Sequence, residues 1–227
     1  MKCLFFSRNN EWSNSLYKNL KDNIREVEWV RCCKKEDYKH FDNLKPDWVF
    51  FFHWNHIVPK EVFSKTKCVV LHTSNLPRHR GGSPIQNQII ERVKTTNVNA
   101  IKMVEEVDAG PIYGSAKISI QGSLRDIWMS IANESEKLIA DCIAYHSFKD
   151  TPVAQTGTTY PCLRRKTSEI PVNDVKTLED LYDYIRMLDA EGYNRSFVSL
   201  GKFKLEFSRA SIVNGDYLIS DVRITEL

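Results

Sequence analysis

The rhythm of the first two-thirds of this chain does most to restrict how it can fold. Short apolar runs alternate there with segments of helical periodicity. Such alternation builds strand–helix–strand units, whose strands lie in parallel and whose helices cover both faces of the sheet. Lys2 to Ser7 reads as the first strand and Asn14 to Asp22 as the first helix. Val27 to Cys32 and Trp48 to His53 read as further strands, the second after the turn signal Lys45-Pro46-Asp47. Pro59 starts a short helix, and Cys68 to Leu71 is another buried strand. Ser83-Pro84 opens a helix expected to run to about Lys94, because a proline in the first turn gives up no intrahelical hydrogen bond. Strands follow near Val98 to Val104 and Ile112 to Ile120, and the longest helix begins at Ser123. In it Leu124, Ile127, Trp128, Ile131, Leu138, Cys142 and Ile143 recur close to i, i+3, i+4, i+7, a stripe that reads as core packing. The expected class is α/β: a Rossmann-like, mostly parallel sheet with helices on both faces, followed by a small β-rich C-terminal subdomain.

Between Asp150 and Pro161 the composition turns to Thr, Pro, Gly and Gln without periodicity, which marks a boundary. Residues 1–150 are expected to form the main Rossmann-like domain and residues 151–227 a small α+β subdomain. In the tail, Thr177 to about Leu188 reads as a helix, with strands around Phe197 to Leu200, Phe203 to Phe207 and Tyr217 to Val222. Asn214-Gly215 is a hairpin turn by its chemistry, since both residues tolerate positive φ.

Charge and apolar runs exclude several classes. Lys and Arg number 32 against 29 Asp and Glu, a net +3 that is too small a bias to argue for a nucleic-acid partner. The longest apolar run, Trp48 to Phe52, is far short of the roughly 20 residues a membrane span needs. The N-terminal apolar stretch is too short for a signal peptide, so a cytoplasmic location is expected. Cys3, Cys68 and Cys142 lie in apolar segments, Cys32 and Cys33 are adjacent, Cys162 is isolated, and no C-x-x-C occurs. Reduced, mostly buried thiols and no metal site are the expectation. Nothing in the pattern decides between a monomer and a homodimer.

Two segments carry chemistry. Residues 71–87 run Leu-His-Thr-Ser-Asn-Leu-Pro-Arg-His-Arg-Gly-Gly-Ser-Pro-Ile-Gln-Asn: a strand ends at His72, then a polar loop with two glycines leads into a helix. Ligands of open α/β sheets bind beyond the carboxyl ends of strands, which is where His72 falls. Residues 105–112, Glu-Glu-Val-Asp-Ala-Gly-Pro-Ile, join two strands and carry Asp108. A carboxylate beside an imidazole fixes its tautomer and can hand a proton onward. Of the other histidines, His53 and His56 flank the third strand as partly buried polar residues, His79 reads as a solvated loop residue, and His40 and His146 carry no signal.

Taken together, the two segments resemble the folate-dependent formyltransferases, a family that includes methionyl-tRNA formyltransferase, glycinamide ribonucleotide formyltransferase and the sugar N-formyltransferases. The matching residues are His72, Ser74, Leu76-Pro77, Arg80-Gly81, Pro84-Ile85-Gln86 and Asp108-Ala109-Gly110, with Ile57-Val58-Pro59 similar to an apolar segment beside the pterin. The resemblance is strong over residues 45–120. It departs at one place: Val70 stands where the family has an asparagine, two residues before the histidine.

The resemblance implies transfer of a formyl group from 10-formyltetrahydrofolate to an amine without a metal. His72, held by Asp108, would donate to the developing oxyanion, and Asp108 would help remove the amine proton. Asn55, at the end of the neighbouring strand, is the candidate to replace the missing amide. Trp54, Asn55, His56, Ile57, Val107 and Asp108 would hold the pterin, and Arg80, Gly81, Gly82 and Gln86 the acceptor, Arg80 either pairing with its diphosphate or buttressing the loop through carbonyl contacts. The tail resembles that of nucleotide-sugar N-formyltransferases, and its Arg164-Arg165-Lys166 would pair with a diphosphate. The acceptor so implied is a nucleotide-linked amino-deoxysugar, a UDP- or dTDP-sugar of the pseudaminic-acid-precursor kind, destined for surface polysaccharide. The alternatives are an aminoacyl group on tRNA or a carrier, and a non-catalytic relative that only binds folate or a nucleotide sugar.

Overall fold

Run after run, the apolar segments become strands of one sheet in a computed structural model that describes residues 1–144 and 152–227. The chain passes through β1 (Lys2–Ser7), α1 (Glu11–Asn23), β2 (Glu28–Cys32), a 3-10 turn (Lys35–Lys39), α2 (His40–Leu44), β3 (Trp48–Phe52), α3 (Lys60–Phe63), β4 (Lys67–Thr73) and β5 (Arg78–Gly81). It continues through α4 (Pro84–Ile90), β6 (Thr95–Lys102), β7 (Ile112–Ser119) and α5 (Leu124–Ala144). Then come β8 (Tyr160–Cys162), α6 (Leu178–Arg186), β9 (Phe197–Leu200), β10 (Phe203–Val213) and β11 (Tyr217–Glu226).

The main sheet has the order β2-β1-β3-β4-β6-β7. Its first four strands are parallel, whereas β6 pairs antiparallel with β4 and β7 antiparallel with β6. The chain leaves β1 for β2 on one side and returns to β3 on the other. That reversal opens a crevice at the carboxyl ends of β1 and β3, where α/β sheets take their ligands.

Strand alternation sends the two side-chain sets of β3 to two cores. Phe50 and Phe52 join Phe5, Trp12, Leu16, Leu20 and Ile131 under α1 and α5, while Val49 and Phe51 join Leu4, Phe6, Phe41 and Cys68 on the other face. Each phenylalanine so buried contributes about 1.5–3 kcal/mol, which is why a run with no polar residue survives only in a doubly covered strand. Cys33 alone among the cysteines is exposed, and burial pushes the thiols of Cys3, Cys32, Cys68 and Cys142 up to about 12. No helix among the described residues is long and apolar enough to cross a membrane.

Element ends differ from expectation for local reasons. α1 starts at Glu11 rather than Asn14, because the Asn10 side chain accepts the Ser13 N–H at 3.0 Å and caps the helix there. α4 stops at Ile90 rather than near Lys94: Arg92 turns left-handed at φ 57°, and the Val93 N–H closes back on the Gln88 carbonyl. β10 extends to Val213 through an irregularity between Ser208 and Ser211, where Arg209 takes φ 52°. Asn214 and Gly215, at φ 53° and 79°, make the hairpin turn read from the sequence.

The tail packs in two parts. β8 pairs in parallel with β5, and Met187 and Leu188 enter the main core, so residues 160–193 lie against the sheet-bearing body. β9, β10 and β11 form a separate antiparallel sheet. The boundary expected at residue 150, and His146, lie outside the described residues.

Candidate active site

Three parallel strands end at one rim. Arg8 follows β1, His53, Trp54 and Asn55 follow β3, and His72 is the penultimate residue of β4. The rim opens on a cavity of about 450 Å³, the size of a small-molecule site.

Asp108 reaches His72 because of a glycine. A Cβ on Gly110 would lie 1.7 Å from the Lys102 carbonyl oxygen, so only glycine lets residues 103–111 fold down onto the end of β6. Asp108 itself takes φ 53°. Its Oδ2 then stands 3.2 Å from His72 Nδ1 and accepts the Gly81 N–H at 3.0 Å, with the two side chains only 7% and 13% exposed. Gly81 also needs its missing side chain: at φ 102° a Cβ would meet the Cys162 carbonyl at 2.8 Å.

A hydrogen bond of His72 fixes one ring proton. Nε2 lies 3.0 Å from the His79 carbonyl oxygen, which can only accept, so Nε2 carries a hydrogen. Nδ1 then faces Asp108 Oδ2, an ion-pair contact whenever the ring carries a second proton. The 3.2 Å approach is an ion-pair contact without hydrogen-bond alignment, which leaves Nδ1 available to an incoming oxygen or nitrogen.

A second layer locks Asp108 in place. Gln155 Nε2 donates to the carbonyls of Asp108 (2.8 Å) and Gly110 (2.7 Å), and its Oε1 accepts from Arg80 Nε and Nη2 at 2.9 and 2.8 Å. Arg80 also pairs with Glu106 at 3.1 Å. Arg80 does not line the cavity: of the two roles expected of it, holding the acceptor or buttressing a loop, the geometry fits the second, since through Gln155 it braces the loop that carries Asp108. His79 also departs from expectation. Only 6% exposed, it is a buried strand residue rather than a solvated loop residue, and its Nε2 meets Glu91 Oε2 at 2.7 Å while its carbonyl holds His72.

The remaining expected residues divide. Trp54, Asn55, His56, Ile57, Val107 and Asp108 all line the cavity, as do Gly81, Gly82, Gln86 and Arg164. Trp54 is chiefly a wedge, its indole N–H donating to the Tyr38 hydroxyl at 3.0 Å and its ring set edge-on to Phe6. Ile57 and Val107 are 75% and 49% exposed, apolar side chains left open on the cavity wall, a surface suited to a flat heteroaromatic ring. Val70, at the family's asparagine position, faces the cavity two residues before His72. Gln86 is buried and donates to the Met187 carbonyl at 3.3 Å. Arg165 lies over the Tyr184 ring, 5.7 Å from its centroid, and neither it nor Lys166 lines the cavity.

Behind the rim stands His53. Nδ1 accepts from Trp12 Nε1 and Asn10 Nδ2, both at 3.1 Å, so the hydrogen is on Nε2, 3.3 Å from the Tyr193 hydroxyl. The ring stacks on Trp128 at 4.2 Å. Burial, with the Arg8 charge adding to it, pushes His53 down to about 3, and burial pushes Tyr193 up to about 12. Arg8, Tyr193, Gln155 and the carbonyl of His79 escaped sequence reasoning. Arg8 could have been found as the first residue after β1; the others become neighbours of the site only through tertiary packing.

With this geometry in view, comparison with known proteins is decisive at family level. A family model described as "Formyl transferase" matches residues 24–141, and one described as "Methionyl-tRNA formyltransferase, C-terminal domain" matches residues 165–225. The chain belongs to the formyl transferase family. Among curated proteins it is 30% identical over 155 residues to a methionyl-tRNA formyltransferase of a Nitratiruptor species, covering 65% of this chain and 50% of that one. The chain thus spans about half the length of the curated relatives it matches. Among solved structures, a methionyl-tRNA formyltransferase from Clostridium thermocellum aligns with TM-score 0.90 and 35% identity over 100% of both chains. A sugar N-formyltransferase from a Shewanella species shares the fold, with TM-score 0.72 and 17% identity over 94% of this chain and 98% of that one. The tail, read as similar to that of sugar N-formyltransferases, matches a family model named for the methionyl-tRNA enzymes.

Proposed function

We propose that this protein transfers the formyl group of 10-formyltetrahydrofolate to the amine of a nucleotide-linked amino-deoxysugar. One observation carries the reading: side chains from the tail, Arg164 and Tyr193, line the same cavity as the His72–Asp108 pair. The tail therefore closes the acceptor side over a pocket fitted to a compact, anionic molecule. Family membership supports the folate donor, and the open apolar wall of Ile57, Val107 and Val70 suits a pterin, with backbone groups near Asp108 to read its edge.

The bound donor supplies an electrophilic formyl carbon. His72 and Asp108 do the proton work. Nδ1–H of the protonated ring hydrogen-bonds to the formyl oxygen as negative charge develops there, and Asp108 accepts the proton lost by the attacking amine. As the tetrahedral intermediate collapses, the carbonyl re-forms, the bond from the formyl carbon to the folate nitrogen breaks, and Asp108 returns its proton to that leaving nitrogen. The Nε2–H bond to the His79 carbonyl keeps the ring from turning, so the oxyanion is met by Nδ1. Asn55, exposed on the rim, supplies the amide donor that Val70 lacks. A positioned oxyanion donor is typically worth about 10²–10³ in rate.

A second reading is formylation of an aminoacyl group on tRNA or a carrier. The names of the curated relatives and of the family model over residues 165–225 favour it. Tetrahydrofolate release with UDP- and dTDP-amino sugars, assayed beside methionyl-tRNA, tests both. Turnover with an amino sugar and none with methionyl-tRNA is expected; turnover with methionyl-tRNA alone overturns the sugar reading. Release with neither, despite folate binding, indicates the non-catalytic relative.

A further inference from the structure

An arginine follows β1 at the point where the strand order reverses. The carbonyl of Arg8 accepts Arg31 Nη2 at 3.1 Å, which holds the backbone, but its own guanidinium makes no hydrogen bond or ion pair with the described residues. It is half-buried and lines the cavity on the side of His53 and Tyr193. Gly192, at φ 77°, lies beside it: a Cβ there would stand 3.9 Å from Arg8 Nη2, an ordinary contact. A guanidinium cannot shed its charge, so a half-buried one left unpaired carries a desolvation cost that an arriving anion relieves.

Arg164 faces the same cavity from the tail, with its Cβ packed where a side chain on Gly82 would clash. Arg164 likewise has no ion pair with the described residues. His56 feels both cations: its protonation is disfavoured by burial first, then by Lys35 and Arg164, is favoured by Glu36, and is disfavoured least by Arg8. The cavity is thus lined by Arg8, Arg164 and Lys102 against Asp108 and Glu105, the last of which pairs with Lys60. The apolar wall of Ile57 and Val107 differs in composition from the two arginines, one suited to a ring and the other to an oxyanion.

We propose that Arg8, with Arg164 lining the same cavity, is the anion-binding and specificity-determining residue of the acceptor subsite, and that it grips a phosphate of the acceptor. The planar fork of a guanidinium matches two phosphate oxygens at once. This rests on reading the cavity as an acceptor site, and it restricts acceptors to phosphorylated amines. The donor's glutamate tail is also anionic, and the test separates the two sources.

Binding of inorganic pyrophosphate and of UDP to the full chain is measured by calorimetry, with and without saturating 5-formyltetrahydrofolate. Binding is expected to persist with the folate present, to weaken about tenfold or more in Arg8→Ala, and to recover in part in Arg8→Lys, with folate affinity unchanged. Affinity unchanged in both Arg8→Ala and Arg8→Gln overturns the proposal, as does displacement of pyrophosphate by the folate, which assigns the site to the donor tail. Pyrophosphate bound through Arg8 without turnover of any amino-sugar nucleotide would sink the functional reading alone. Turnover indifferent to Arg8→Ala would sink the anion site alone.

Discussion

His53 offers the sharpest quantitative test of the structure. Its ring is enclosed by Trp12, Trp128 and Tyr193, its Nδ1 already accepts two hydrogen bonds, and it is held down to about 3 in the fold against about 6.5 in the unfolded chain. A base whose folded value is depressed favours unfolding as pH falls, because the unfolded chain takes up the proton first. The loss begins near pH 6.5 and continues toward pH 3. Between pH 7 and pH 5 the linkage integral is roughly 2 kcal/mol, an upper figure because one ring edge faces the cavity. The comparison variant is His53→Asn. Asparagine tolerates the φ of 49° at this position, and its Oδ1 can stand in for Nδ1. Urea unfolding followed by tryptophan fluorescence at pH 7, 6 and 5 should show the wild type losing roughly 2 kcal/mol more than the variant, about 4–8 °C in Tm. All other titrating groups are common to both proteins and cancel. Parallel loss of stability in the two would mean that His53 is not held neutral, and the argument for its hydrogen-bonded role would be wrong.

The site itself yields three further tests. His72→Asn and Asp108→Asn should each lower kcat by about 10²–10³ or more while leaving 5-formyltetrahydrofolate binding within a few-fold; near-normal turnover in either would remove that residue from the chemistry. Asn55→Ala should lower kcat with little change in donor KM, whereas a change in KM alone would make it a binding residue. Gly110→Ala should destabilise by about 3 kcal/mol or more, read as a Tm drop of roughly 6 °C or more, since its Cβ would sit 1.7 Å from a backbone oxygen; an unchanged Tm would show that residues 103–111 pack otherwise.

Much of the fold was legible along the chain. β1 lies at Lys2–Ser7 as read, α5 follows the Leu124–Ile143 stripe, and the Asn214-Gly215 turn sits where its chemistry put it. Those signals are local: periodicity, a cap and two residues tolerant of positive φ. The pairing of β5 with β8 was not legible, because Arg78–Gly81 has no apolar pattern and gains strand form only from its distant partner. Within the site, the sequence placed His72 and Asp108 through a motif resemblance, and a 36-residue separation says nothing by itself about a 3.2 Å contact.

What the sequence determined alone, then, was where the chain stiffens into strands and helices and which residue types end up at strand ends, since each of those depends on neighbours within a few positions. Tertiary structure decided what the charged and polar groups there do. It turned Arg80 away from the cavity into the Gln155 buttress, buried His79 as the acceptor for His72, and left the Arg8 guanidinium without a partner among the described residues, beside Tyr193. The reason is physical: a long polar side chain takes whichever partner the folded chain brings within about 3 Å, and such partners lie far along the chain, 75 positions away for Arg80 and Gln155.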